Sequence, residues 1–518
     1  MSKYAILSYL VLFQFVCYAQ ESTPDSAVIS RIREEGLHHS QVRFIAGHIT
    51  DISGPRLTNS PGFFRAGHWA VDALKQWGLT NAQLEPWGEF GYGWSVDKSY
   101  IALRSPYYEP IIGYAVPWRG STNGMVTAPV LMLDKMDSSY LAGLADRVRG
   151  KIVLLKTADT VIKSAFSAYA TRYTDKDLLA MKDEYMITAA QLQFFLPSIR
   201  RQLLIEKMLS REGAVAALNM SGGRDGTVPV DAFGGYRKNS QPAIPVLNIS
   251  KEAYLKMERL LEAGLPVQAE LDVKTSFHKD DTRGYNVLAE IPGTDPVLRN
   301  EVVMLGGHLD SWSGGTGATD NGAGCIVMME AVRILKTLGL QPRRTIRIAL
   351  WSGEEQGLLG SFNYVKNHFG DPADMQLKPE QEKISVYFNL DNGTGKIRGI
   401  FDQGNKEADA IFSQWFKDFQ DLGAGTVSQH NTGATDHLSF DAVGIPGFQF
   451  IQDPIEYETR THHTNMDTYD HLQFDDLSQA ATIVAAFVYR AAMRADKFPR
   501  KPLPKPEKFL FADFMNIE

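Results

Sequence analysis

Cysteine is nearly absent: the 518 residues contain two, Cys17 and Cys325. That excludes a disulfide-stapled scaffold and any cysteine-based zinc finger. An excess of one charge is missing too, because 53 basic and 60 acidic residues leave a net charge of -7 and a pI near 6.0. Such a chain has no electrostatic footprint for phosphate backbones or anionic membranes, so nucleic acid is not an expected partner. Past the amino-terminal residues, no stretch reaches the roughly 18 uninterrupted apolar residues of a spanning helix. Two catalytic signatures are absent as well, the G-x-S-x-G elbow of serine hydrolases and the H-E-x-x-H helix of single-zinc proteases.

What is present is a folded, enzyme-like composition. With 44% hydrophobic and 22% charged residues the chain buries a core, and its length implies two or three units. The start, MSKYAILSYLVLFQFVCYAQES, has one positive charge at Lys3, an apolar run from Ala5 to Val16 and a small residue at Ala19. This is the layout of a secretory signal peptide over residues 1–19. Acylation of Cys17 is disfavoured, because Val16 stands where a small residue is required. Cleavage after Ala19 leaves Cys325 as the single thiol, so the expectation is an exported, disulfide-free protein, periplasmic or extracellular, with no membrane attachment after cleavage.

Along the chain, RAGHWAVDALKQW (Arg65 to Trp77) puts Ala66, Trp69, Ala70, Ala73 and Trp77 on one helical face and stops at Gly78. From about Tyr100 to Val273 the texture changes to short strand-like runs such as Pro129 to Leu133 and Lys151 to Leu155. This marks a β-rich inserted domain, bounded at 121–280, within a core domain formed by 20–120 and 281–495. Inside the insert, the helical patch Asp175 to Glu212 has no assigned role, and residues 496–518 form a Pro- and Lys-rich tail that wraps the surface or stays loose. From Arg283 the order is strand Tyr285 to Ile291, strand Val302 to Leu305, helix Gly324 to Leu338, then strands Thr345 to Trp351 and Ile384 to Leu390. That alternation predicts an α/β fold with a largely parallel sheet. Cys325, Met328, Met329, Val332 and Leu335 recur at core-facing spacing, so Cys325 reads as a buried filler.

Polar residues gather where the strands end, the usual ligand position of open α/β sheets. GGHLDSW offers His308 and Asp310, on one side of an extended chain, so that the acid can orient the imidazole. GATDNGAG offers Asp320 before a helix, a position where an N-cap is the simpler reading. WSGEEQG offers adjacent Glu354 and Glu355, one able to bind metal while the other stays free as a base. Asp391 follows a strand, and RTHHTNMDTYD holds His462, His463 and Asp467. Each cluster alone has a bland explanation; together they supply imidazoles and carboxylates suited to zinc.

At GGHLDSW, DNGAG, LGLQPRRTIRIALWSGEEQG, NLDNGTG and HHTNMDT the chain resembles the co-catalytic dizinc exopeptidases, a family of aminopeptidases and glutamate carboxypeptidases. ITDISGPRLTNSP and the intervening domain share the likeness, with VRGKIVLL and AIPVLNIS resembling a protease-associated domain, so it covers roughly Ser30 to Asp496. The resemblance implies a mixed, largely parallel sheet flanked by helices, two zinc ions, and His308, Asp320, Glu355, Asp391 and His463 as metal ligands, with Asp320 bridging. It also implies Glu354 as general base and Asp310 as the acid orienting His308. Many aminopeptidases of the family carry Tyr before the last ligand; here His462 stands there, as in carboxypeptidase members, and is a candidate oxyanion stabiliser. The run Thr435, Asp436, His437 resembles the substrate-pocket loop, which makes His437 a candidate substrate contact. The expected activity is hydrolysis of dipeptides or short peptides, with a free amino end favoured. The oligomeric state stays open, a homodimer included. A glutaminyl cyclase shares this fold with one zinc, but the full five-ligand set opposes it; a non-catalytic receptor on the same fold should lack ligands or base, and none is missing.

Overall fold

A computed structural model describes residues 26–509 and 511, apart from 136–144, 158–167, 184, 187, 189–195 and 241–243. The amino-terminal run read as a signal peptide lies outside the described residues. Among the described residues no helix is long and apolar enough to cross a membrane.

Two eight-stranded sheets organise the chain. The main sheet runs in the order Thr80–Glu89, Arg283–Ile291, Thr345–Trp351, Val302–His308, Ile384–Asn389, Gly447–Gln452, Ile397–Phe401, Thr426–Ser428. Its four middle strands are parallel neighbours, flanked by antiparallel ones, so the sheet is mixed with a parallel centre as expected. The centre is apolar because helices cover both faces: every residue of Val302–His308 is buried. On one face Ala323–Thr337 and Phe474–Met493 pack with Ser26–His38, and on the other Leu359–His368 packs with Trp351, Tyr387 and Phe440.

The helix Ala323–Thr337 differs from the one-faced stripe expected of it, because all its residues from Ala323 to Leu335 are buried. The helices outside it cover its polar side, where Glu330 pairs with Arg333 at 2.7 Å and Arg333 with Glu35 at 2.8 Å. Cys325 is buried as expected, its thiol donating to the His308 carbonyl at 3.0 Å and pushed up to about 12 chiefly by burial. The early helix begins sooner than its apolar face announced, at Pro61, because Ser60 caps Phe63 N at 3.2 Å and proline occupies the first turn.

The second sheet runs Glu109–Pro110, Gly93–Ser105, Gln268–His278, Val126–Leu133, Ile152–Leu155, Ala216–Met220, Val246–Ile249, Gly113–Ala115. Its strand Gly93–Ser105 lies well before residue 121, because it pairs antiparallel along Gln268–His278. Its middle strands are parallel and covered by helices Leu196–Arg211 and Lys251–Glu262, so the unit has an α/β centre. Of the helical patch, Asp175–Ala180 and Leu196–Arg211 are helices, and 189–195 lie outside the described residues. The tail does wrap the molecule: Phe498 sits in the main core and Phe509 stacks on Phe362 at 4.4 Å.

One close approach fixes the helix against the site. A Cβ at Gly324 would stand 2.2 Å from the Leu390 carbonyl oxygen and 2.4 Å from Asn321 Oδ1. Gly324→Ala should therefore destabilise the protein by about 1–3 kcal/mol, read as a lowered melting midpoint. Gly222→Ala, where a Cβ meets nothing within 4 Å, should stay within about 0.5 kcal/mol of wild type.

Candidate metal centre

The chain leaves Val302–His308 for Thr345–Trp351 on one side of it, then reaches Ile384–Asn389 on the other. That reversal opens a crevice at the carboxyl end of Val302–His308, where an open α/β sheet binds its ligand. His308 closes that strand, Asp310 follows it, Glu354 and Glu355 follow Thr345–Trp351, and Asp391 follows Ile384–Asn389. His462 and His463 arrive on the loop beyond Gly447–Gln452.

Asp320 sits in the middle. Its Oδ1 lies 3.4 Å from His308 Nε2, and its Oδ2 lies 3.3 Å from His463 Nε2 and 3.8 Å from His462 Nε2. His308 Nε2 is also 3.3 Å from Asp391 Oδ1 and 3.9 Å from Glu354 Oε2, while His463 Nε2 is 3.0 Å from Glu355 Oε2. Two overlapping sets of potential ligand atoms, His308–Asp320–Asp391 and Asp320–His462–His463, each fall within 4.8 Å and share Asp320. The structure thus brings His308, Asp320, Glu354, Glu355, Asp391, His462 and His463 together. His462 falls within one of the two sets of potential ligand atoms.

The electrostatics describe a cluster short of positive charge. Burial, reinforced by neighbouring carboxylates, pushes Glu354 and Glu355 well above the ordinary carboxylate range. Burial opposes the charged form of His308, but Asp391 and Glu354 outweigh it and raise the imidazole well above its usual value. Asp320 is likewise held low despite its burial, because His308, His463 and His462 face it. Asp320 Oδ2 and Glu355 Oε1 are buried and accept no hydrogen bond. Buried oxygens of that kind, beside imidazole nitrogens, fit dications with a nitrogen and oxygen preference such as zinc.

Asp310 faces His308 with two groups. The acceptor nearest His308 Nδ1 is the Asp310 backbone carbonyl at 3.0 Å, with its Oδ1 farther off at 3.6 Å. The carboxylate has other partners too: Thr58 Oγ1 donates to it at 2.9 Å, and the Glu354 and Glu355 amides at 3.3 and 3.4 Å. It fixes the start of the glutamate turn, while the carbonyl fixes the imidazole tautomer. His437 is not brought to the open side of the cluster. It is fully buried, Nε2 faces the Thr432 carbonyl at 3.2 Å, and burial lowers it to about 4.

Three contributors had no assigned role in the sequence. The buried Arg56 guanidinium donates to the carbonyls of Leu309, Ile49, Thr316 and Gly317 at 2.5–3.1 Å, bracing the loop between His308 and Asp320. Asp467 accepts from Thr319 N at 2.6 Å and Asp320 N at 3.1 Å, and so aims Asp320. Asn321 donates to the Leu390 carbonyl at 2.8 Å and accepts from Gly324 N at 2.9 Å. The signal available was the GPRL run and the acid four residues after the histidine pair.

Residues 286–488 match the model of peptidase family M28. The chain is 28% identical over 464 residues to carboxypeptidase Q of Pongo abelii, covering 87% of this chain and 85% of that one. The crystal structure of a peptidase M28 precursor from Shewanella amazonensis superposes with a TM-score of 0.67 at 25% identity, over 92% of this chain and 98% of its own. A zinc aminopeptidase from Bacillus subtilis shares the fold with a TM-score of 0.53 at 21% identity, over 88% and 96%. The resemblance read from the motifs is borne out.

Asp467→Ala should weaken cation binding about 10- to 100-fold, the usual effect of losing an outer-shell partner. Competition against a chelator measures it, and an unchanged affinity would reduce Asp467 to a turn cap.

Proposed function

With the chain a metallo-exopeptidase related to peptidase family M28, we propose that it holds two zinc ions and removes residues from the free amino end of short peptides. The observation that carries this reading is the sharing of Asp320 between His308 and His463, one carboxylate oxygen facing each. His308 and Asp391 would hold one ion, His463 and Glu355 the other, and Asp320 both. Zinc there would supply Lewis acidity toward the peptide carbonyl and acidify water.

Glu354 is the base in this reading. It takes a proton from the attacking water as the oxygen bonds to the carbonyl carbon, and returns it to the amine nitrogen as the C–N bond breaks. The amides of Glu354 and Glu355 both point at the Asp310 carboxylate, which fixes the turn that separates the two side chains. His462, with 38% of its side chain exposed, is the candidate donor to the carbonyl oxygen.

Recognition of an amino end rests on charge. A cluster of carboxylates attracts an ammonium group and repels a carboxylate. Carboxyl-end recognition would need a cation: Arg460 lies 3.6 Å from Glu456 and 4.0 Å over the Tyr169 ring, and His437 is buried, which lowers its imidazole to about 4. The second unit is read as a protease-associated domain that narrows the approach, supported by VRGKIVLL and AIPVLNIS, which carry the strands Ile152–Leu155 and Val246–Ile249. Export to the periplasm or exterior belongs to the same reading, supported by the amino-terminal run.

Metal analysis of the purified protein should give about two tightly bound ions per chain, two-ion sites being the usual clamp for such displacements; a single ion with chelator-resistant turnover would defeat the reading. Glu354→Gln should keep the metal and lose about 10²- to 10⁴-fold in turnover, whereas Glu355→Gln should lose metal. In a comparison of a dipeptide with its N-acetylated and C-amidated forms, only acetylation should abolish cleavage. Equal hydrolysis of the acetylated form would remove the amino-end claim.

A further inference from the structure

His463 lines a second space besides the metal centre. A cavity of about 1020 Å³ opens beside it, walled by the strand Ala216–Met220, the helix Leu196–Arg211 and the loop 229–233 of the second unit. The two spaces are tied together, because Val230 N donates to the His463 carbonyl at 2.7 Å and Pro229 bridges to Thr464. An aromatic path joins them as well: Phe233 meets Trp312 with ring centres 6.3 Å apart, and Trp312 meets His463 at 5.9 Å.

The lining is apolar at Ile199, Leu203, Leu209, Met220 and Phe233. Most of its charged residues are already paired. Arg119 is buried against Glu206 at 2.5 Å, Lys156 pairs with Glu262 at 2.8 Å, and Arg201 and Asp231 add one of each sign. A charged side chain entering such a space loses water against a wall whose charges are mostly paired, whereas an apolar one gains by burial. The volume lies at the top of the roughly 300–1,000 Å³ range of ligand pockets, more than one residue needs.

We infer that this cavity receives the part of a peptide on the carboxyl side of the scissile bond, and that it selects peptides longer than two residues with apolar residues there. The inference rests on the amino-end reading: with the ammonium group held among the carboxylates, the rest of the chain leaves past His463, which this cavity adjoins.

The test uses the metal-loaded full chain and free-amino substrates: a dipeptide, a tetrapeptide with apolar residues after the first bond, and one with Asp or Lys there. The apolar tetrapeptide should exceed both others in kcat/KM by about tenfold or more, the value of burying one apolar side chain. Phe233→Ala and Met220→Lys should each erase most of that preference, mainly through KM, with metal content and melting midpoint reporting that the variants are folded. Equal rates for all three substrates, or an undiminished preference in both variants, would overturn the cavity assignment while leaving the exopeptidase reading intact. Failure to cleave any of the three would overturn both.

Discussion

One carboxylate facing two imidazoles, an oxygen for each, is the constraint around which this molecule is arranged. Asp320 can stand there only if the turn before helix Ala323–Thr337 is held from several sides at once: Asp467 from the amides, Arg56 from the preceding loop and Asn321 from the Leu390 carbonyl. Each of those braces is a buried polar group satisfied by backbone, which is how a protein keeps charge in its interior without losing order. The parallel strands supply the remaining groups by ending together. Their apolar runs and the carboxylates beyond them are two halves of one device, rigid strands followed by short loops that aim side chains.

Much of this was legible in the sequence. Strands such as Val302–His308 and Thr345–Trp351 announce themselves because a parallel strand buried on both faces is apolar throughout. The acids and histidines that follow stand out because they break those runs. Less legible was anything that depends on a distant partner. Arg56 acts on carbonyls some 250 residues later, and no local pattern tells a bracing arginine from a solvated one. Asp310 reads as the imidazole's partner from its spacing, and its carboxylate also takes Thr58 and the glutamate amides, groups that only the fold brings near. His437 reads as a polar loop residue, yet the fold buries it. The strand Gly93–Ser105 joins the second sheet because its pairing partner lies beyond the whole insert.

The energetic consequence is a site in tension with the rest of the fold. Four carboxylates and three imidazoles crowd together, burial disfavours charge on Glu354 and Glu355, and Asp436 adds another buried acid pushed up to about 8 mainly by burial. Such an arrangement costs stability wherever compensating charge is lacking, and a close-packed surround keeps the groups from moving apart. Functional sites are where proteins accept that conflict, and the apolar layers on both faces of the main sheet offset it.

His463 has a left-handed backbone, φ +61°, a conformation that costs a residue with a side chain of order 1–3 kcal/mol. What holds it is the second unit, through Val230 N on its carbonyl, the Pro229–Thr464 bridge and Asn465 on Val228. Among its described residues that unit contributes no candidate ligand, yet it fixes the loop that carries one. The backbone position of one candidate ligand therefore depends on a layer of the molecule that is remote from the main sheet in sequence. Disturbing the second sheet would thus reach His463 through Val230 and Thr464 while leaving His308 and Asp391, which stand at the ends of main-sheet strands, in place.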